Sequence, residues 1–181
     1  MEAIVTDSQP APAPQELFNN FVQIGVVVAD VDKATHYLTE IFGIGPWRII
    51  DWPPAGRTDI QKFYWGEPGD FTARMAFAEL GSVELELIQP VSGKSIWADF
   101  LRDHGGGIHH LRFNVDQIEP VQAHLAQHGI VSAQHGSGIR PGTLWMNFAS
   151  EEKIGFVMEV MKIVPGTSGR TPKIVDGKVV E

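Results

Sequence analysis

No cysteine occurs anywhere in the 181 residues. That excludes disulfides, thiolate metal ligands and a cysteine nucleophile, and it suits a reducing cytoplasm. No apolar run approaches the roughly 18 residues of a membrane-spanning helix. Positive charge is scarce: 14 Lys and Arg stand against 22 Asp and Glu, a formal net charge of −8. Such a balance argues against nucleic acid, which selects basic surfaces. An anionic ligand would depend on individually placed arginines. The opening MEAIVTDSQPAPAPQE lacks the basic segment and apolar core of a secretory signal. Its Pro and Ala read as a flexible arm over residues 1–17.

What is present is a globular composition, 43% hydrophobic and 20% charged, arranged in two similar halves. The pattern reads as βαβββ over 18–90, a linker helix and Gly turn over 91–107, βαβββ again over 108–162, and a tail over 163–181. Strands are expected at 21–28, 46–51, 60–66, 72–79 and 82–89, then at 108–115, 130–135, 143–148 and 155–160. Asp30 is a plausible N-cap for a helix with Val31, Ala34, Leu38, Ile41 and Phe42 on one face, ended by Gly43. Asp116 and Glu119 form a candidate capping box for the matching helix. In the tail, IVDGKVV suits an Asp-Gly hairpin. The fold class is α+β: two fused βαβββ modules whose antiparallel sheets curve around a shared metal cleft.

Four metal-competent residues sit at matching places in the two halves: Gln23 and Glu86, then His110 and Glu159. Each lies in an apolar strand, where a polar side chain is costly without a partner or an ion. An amide oxygen, an imidazole and two carboxylates suit one divalent ion among Zn²⁺, Ni²⁺, Co²⁺, Mn²⁺ and Fe²⁺. Strand alternation puts Glu84 and Glu86 on one face, His110, Arg112 and Asn114 on another, and Val157 with Glu159 on a third. Arg74, Arg112, Trp145 and Asn147 are the candidate substrate-binding residues. For Arg74 this requires Met75 and Phe77 to face the helices. Trp47, Trp65, Trp97 and Trp145 are candidate apolar walls. His109 reads as structural, and Glu84 as a surface or pocket-rim charge, with a weaker claim as a base.

The stretch GSVELELIQP followed by SIWADFLRDHGGGIHHLRFNVDQIEPVQAHLAQHGI carries a resemblance. Over about residues 20–162 the chain resembles the vicinal oxygen chelate superfamily (glyoxalase/bleomycin resistance/extradiol dioxygenase), and within it is most similar to the methylmalonyl-CoA epimerases. The resemblance implies metal ligands at the second His of the pair, His110, at Glu86 four residues before Pro90, and at Glu159. Where the epimerases carry His as first ligand, this chain has Gln23, which with Glu86, His110 and Glu159 is similar to the metal set of glyoxalase I. The glutathione-contacting positions of glyoxalase I hold Val27, Gly106 and Pro90 here, against glutathione as a substrate. Arg74 falls near the catalytic Glu of the epimerases.

The function expected is metal-assisted proton transfer α to a carbonyl, as epimerase, isomerase or lyase, with Glu159 or Glu86 as base. The substrate would be a small carbonyl compound, an acyl-CoA or an aromatic or keto acid, turned over by a homodimer. Two alternatives stand beside it: an extradiol-type dioxygenase, and a metal-free small-molecule binding protein on the same fold.

Overall fold

The computed structural model describes residues 13–175 and 178–180. A short helix, α1 (Pro14–Leu17), precedes β1 (Phe21–Val27), α2 (Val31–Phe42), β2 (Arg48–Trp52), β3 (Lys62–Tyr64), β4 (Glu67–Pro68), β5 (Thr72–Leu80) and β6 (Val83–Ser92). Helix α3 (Ile96–His104) leads into β7 (Gly107–Val115), α4 (Glu119–Gln127), β8 (Ser132–Ser137), β9 (Leu144–Phe148), α5 (Glu151–Ile154) and β10 (Val157–Lys162). The chain closes with β11 (Lys173–Val175) paired to β12 (Lys178–Val180). That pair matches the expected hairpin; its Asp176 and Gly177 lie outside the described residues, as do residues 1–12 of the expected arm. Residues 14–17 are helical, because Leu17 is buried against α4 and the strands beneath it.

Ten strands form one sheet in the order β2-β5-β6-β1-β7-β10-β9-β8-β3-β4. The two halves meet at β1 and β7, which pair antiparallel, and run outward from there in matching order. The expected all-antiparallel sheets are corrected at two places: β1 pairs parallel to β6, and β7 parallel to β10. The long α2 and α4 connections make this possible, since parallel neighbours need a crossover rather than a hairpin. The strand expected at 60–66 is only Lys62–Tyr64, and it pairs with β8 of the other half. The first half thus closes the outer edge of the second.

Local signals explain most helix ends. Asp30 accepts from the Lys33 N–H and caps α2, and Ser95 accepts from the Ala98 N–H and caps α3. The expected capping box at Asp116 does not form; α4 begins at Glu119, with Pro120 in its first turn, where a missing N–H costs nothing. Ile41 and Phe42 are exposed, so the α2 stripe buries only its N-terminal part.

Three apolar layers position the site. Helix α2 packs Val31, Ala34 and Leu38 on Ala76, Leu85 and Leu87. Helices α1 and α4 pack Leu17, Val121 and Leu125 on Met146, Phe148 and Val160. Inside the curve of the sheet lie Trp52, Phe71, Met75, Phe77, Trp97 and Trp145. The Trp52 ring stacks on Phe71 at 5.5 Å and meets Trp145 edge-on at 5.6 Å. Each such buried aromatic side chain contributes about 2–3 kcal/mol.

Candidate functional site

The strand register assembles the polar residues in rows. One row crosses seven strands: Glu79, Glu84, Gln23, Arg112, Glu159, Asn147 and Gln134 are successive cross-strand partners. The next row carries Glu86, Gly25, His110 and Val157. Because alternate residues face the same side, both rows point into the curve. Glu86 thereby reaches His110 and Glu159 from the other half of the chain, and Gln23 lies on the same inward face, one row away from His110. All four are buried, Gln23 and His110 completely.

His110 is the centre. Its Nε2 lies 3.3 Å from Glu86 Oε2 and 3.6 Å from Glu159 Oε2. These contacts bring charge close without hydrogen-bond geometry, and Nε2 is left without a hydrogen-bond partner. Burial pushes the His110 pKa down, but the Glu159 and Glu86 carboxylates outweigh it and hold it above the ordinary value. Glu159 is pushed up, chiefly by burial and then by Glu86, with His110 opposing. Its Oε2 accepts a 2.9 Å hydrogen bond from Asn147 Nδ2. Gln23 donates from Nε2 to Glu84 at 2.7 Å, while its Oε1 is buried with no partner.

Among the described residues, no group of three His, Cys, Asp or Glu side chains stands ready-made to hold a metal ion. The trio around His110 is drawn together by its own charges instead. Two observations nonetheless fit a divalent ion there. Gln23 Oε1 is a buried acceptor lacking a partner, which costs free energy unless something fills it, and two carboxylates face the buried His110 Nε2. The donor types are those of borderline-hard divalent ions.

His109 does more than its expected structural part. A register shift between Gly25 and Val26, opposite His110 and Ile108, leaves His109 as an extra residue in β7. At such a bulge, adjacent side chains need not diverge. His109 Nδ1 comes within 3.1 Å of His110 Nδ1, and its ring lies edge-on to Phe100 at 5.0 Å. Burial, then the nearby His110, pushes its pKa well below the ordinary value. A neutral His109 can accept from His110 Nδ1 and so leave Nε2 free for a ligand. The only sequence signal for this was the His-His pair itself.

A cavity of about 50 Å³ meets this cluster through Glu86 and Glu159; Gln23, His109 and His110 do not line it. Glu86, Arg112 and Glu159 form its polar end; Trp52, Met75, Phe77, Trp97 and Trp145 form apolar walls. Trp145 and Arg112 are therefore where the sequence reading put them, and Asn147 enters through its bond to Glu159. Arg74 is not. Met75 and Phe77 face the cavity, so Arg74 is on the opposite face, paired with Asp32 at 3.1 Å and Asp51 at 3.6 Å. The physical reason is size: Ala76 and Ala78 on the Arg74 face leave space for α2, while the bulky pair fills the curve. Trp47 packs on α2 and Trp65 is exposed, so neither is a wall.

Two features had no sequence signal. Glu84, expected at a rim, is 3% exposed and pairs with Arg48. The segment 163–172 covers the cavity: Ile163, Thr167, Gly169 and Pro172 line it, the Gly169 carbonyl accepts from Asn114 Nδ2 at 3.2 Å, and Thr171 donates to Glu84 at 2.6 Å.

The chain belongs to the Glyoxalase/Bleomycin resistance protein/Dioxygenase superfamily, which it matches over residues 22–149. Mitochondrial methylmalonyl-CoA epimerase of Bos taurus is 25% identical over 112 residues, 61% of this chain and 55% of that protein. The Mus musculus protein is 25% identical over 96 residues, 52% of this chain and 45% of its own. The chain thus spans about half the length of these curated relatives. Among solved structures, a hypothetical protein from Bacillus halodurans superposes with a TM-score of 0.61 at 21% identity, covering 82% of this chain and 96% of that one. Methylmalonyl-CoA epimerase from Mycobacterium tuberculosis gives 0.56 at 20% identity, covering 82% and 91%. These likenesses establish the glyoxalase-type fold. Among the described residues, no helix is long and apolar enough to cross a membrane.

Proposed function

From membership of that superfamily, we propose that this chain is a divalent-metal-dependent enzyme that moves a proton α to a carbonyl, as an epimerase, isomerase or lyase. The observation that carries the reading is the convergence of Glu86 and Glu159, both lining an apolar cavity, on His110 Nε2, with Gln23 Oε1 buried and unpartnered on the neighbouring strand. Gln23, Glu86, His110 and Glu159 would hold the ion. Bound there, it would polarise a substrate carbonyl and stabilise the charge that develops on oxygen.

The chain's own residues supply the rest. Glu159 is the proposed base, with Glu86 as the second candidate. The raised pKa of Glu159 moves its carboxylate toward the range where a base works well near neutrality. It takes the proton from the carbon next to the carbonyl and returns it to carbon, on the same atom or a neighbouring one. Asn147 holds Glu159 Oε2, the same oxygen that faces His110, and so fixes the carboxylate's orientation. Arg112 at the cavity wall suits a substrate anion. The tryptophan walls keep water away from the reacting carbon. The substrate class is a small carbonyl compound, an acyl-CoA thioester or an aromatic or keto acid, and the expected assembly is a homodimer.

Metal content of protein purified without added metal or chelator, measured beside His110→Ala, tests the reading. About one divalent ion per chain, lost in the variant, supports it; no ion, and none taken up on adding Zn²⁺, Ni²⁺, Co²⁺, Mn²⁺ or Fe²⁺, leaves a binding protein. Metal-dependent exchange of a substrate α-proton with deuterated solvent then separates proton transfer from oxygen-dependent catechol cleavage.

A further inference from the structure

We propose that Glu84 is a positioning residue that fixes which end of the Gln23 amide faces the site. The inference rests on the reading of Gln23 as a ligand. A side-chain amide is nearly symmetric in shape, so packing alone does not choose between its oxygen and its nitrogen. Only the oxygen binds a cation. At Gln23 the choice is made by a neighbour that can only accept. Glu84 is the direct cross-strand partner of Gln23, is 3% exposed, and receives the amide N–H at 2.7 Å. Turning the amide over would set its oxygen against that carboxylate and lose the bond.

Glu84 is itself fixed from three sides. Arg48 pairs with Oε2, Thr171 donates to Oε1 at 2.6 Å, and Arg112 stands 3.9 Å from Oε1. Arg48, Arg112 and Thr171 all present donors to this carboxylate, so none of them competes with the Gln23 N–H for its place as a donor. Thr171 belongs to the segment that covers the cavity, so that segment contributes one of the bonds on Glu84. Buried Gln23 Oε1, left without a partner, is the consequence of this network.

Cobalt(II) titration of the full chain, read as affinity and as the visible spectrum, is the test. Glu84→Gln can donate as well as accept, so the amide is no longer directed. It is expected to weaken cobalt binding about 10- to 100-fold and to shift the spectrum toward that of Gln23→Ala. In the Gln23→Ala background the same change is expected to cost less than about twofold, since its target is gone. Arg48→Met, which removes an ion pair but leaves the amide contact, is expected to lower thermal stability while keeping the wild-type spectrum. Should Glu84→Gln fail to fold, Glu84→Asp, which keeps the charge but not the reach, makes the same comparison.

An undiminished loss in the Gln23→Ala background, or no loss in the wild-type background, overturns the positioning role and leaves the metal site standing. A loss with Arg48→Met equal to that with Glu84→Gln also overturns it, because Glu84 would then act through the fold. No cobalt uptake by the wild-type chain overturns both this inference and the metal reading.

Discussion

The imidazole of His110 lies directly across Gly25: a Cβ built on that glycine would stand 2.0 Å from His110 Cε1 and 2.3 Å from Nε2. The two residues are cross-strand partners on β1 and β7, at the seam between the halves. The glycine is needed here for close approach, since any side chain would occupy the volume of the ring. Gly25→Ala is therefore expected to displace His110. Metal uptake should fall by more than about tenfold, with the far-ultraviolet spectrum little changed. Wild-type uptake in that variant would show that the ring can move without leaving the site.

Arg74 gives the opposite expectation. Its partners are Asp32 and Asp51, both largely exposed, on the α2 side of the sheet. Exposed ion pairs contribute about 0–1 kcal/mol. Arg74→Ala should lower the melting temperature by no more than a few degrees and leave kcat/KM within about twofold. Arg112→Ala, which removes a cavity residue, should lower kcat/KM far more. Steady-state kinetics of the two variants make the contrast, and a large loss from Arg74→Ala would return that residue to the site.

Asn147 and Glu159 separate orientation from proton transfer. Glu159→Gln keeps an oxygen for the ion but removes the base, so turnover should fall by about 10²- to 10⁴-fold with metal retained. Asn147→Ala removes only the bond that holds Glu159 Oε2. It should lower kcat more modestly and leave KM nearly unchanged. Normal turnover by Glu159→Gln would shift the base role to Glu86.

Gly169 has φ +67, and a Cβ there would meet Asn114 Nδ2 at 2.2 Å. Gly169→Ala should therefore lift the covering segment from the cavity. Acrylamide quenching of tryptophan fluorescence reads this directly, because Trp97 and Trp145 line the cavity beneath. Quenching is expected to rise and KM to increase, with metal content preserved. Unchanged quenching would mean the cover tolerates the methyl group.

His135 stacks on Phe63 at 4.6 Å, and burial lowers its pKa below the ordinary 6.5. The unfolded chain then takes the proton first. Stability from this group is complete above pH 6.5, falls as the pH drops below that value, and levels off once the folded histidine also titrates. His135→Phe keeps a ring on Phe63 but cannot titrate. Its melting temperature relative to the wild-type chain should rise as the pH is lowered from 8 toward 5; a constant difference would show that His135 does not contribute to the pH dependence.

Much of this was legible in the sequence because strands and helices impose periods on it. The period of two in FVQIGVVV, SVELELIQP, GIHHLRFNV and GFVMEVM put Gln23, Glu86, His110 and Glu159 on defined faces, and the similar spacing of the halves put them on corresponding strands. Capping residues such as Asp30 marked a helix start to the residue, because the cap bond is made within one turn. What a period does not say is which of two faces turns inward. Strand β5 is apolar on both sides of Arg74, so its alternation was silent, and the bulk of Met75 and Phe77 against the small Ala76 decided the matter only once α2 was packed. Glu84 and Glu86 share a face and differ in role because of what lies across from each: Gln23 and Arg48 for one, His110 for the other. The crossing of β3 to the second half and the cover formed by 163–172 depend on contacts distant along the chain. The sequence by itself determined which residues alternate and where elements begin. Tertiary packing alone decided which face is inside and which partners meet there, because volume and burial are properties of the assembled layers and not of any one segment.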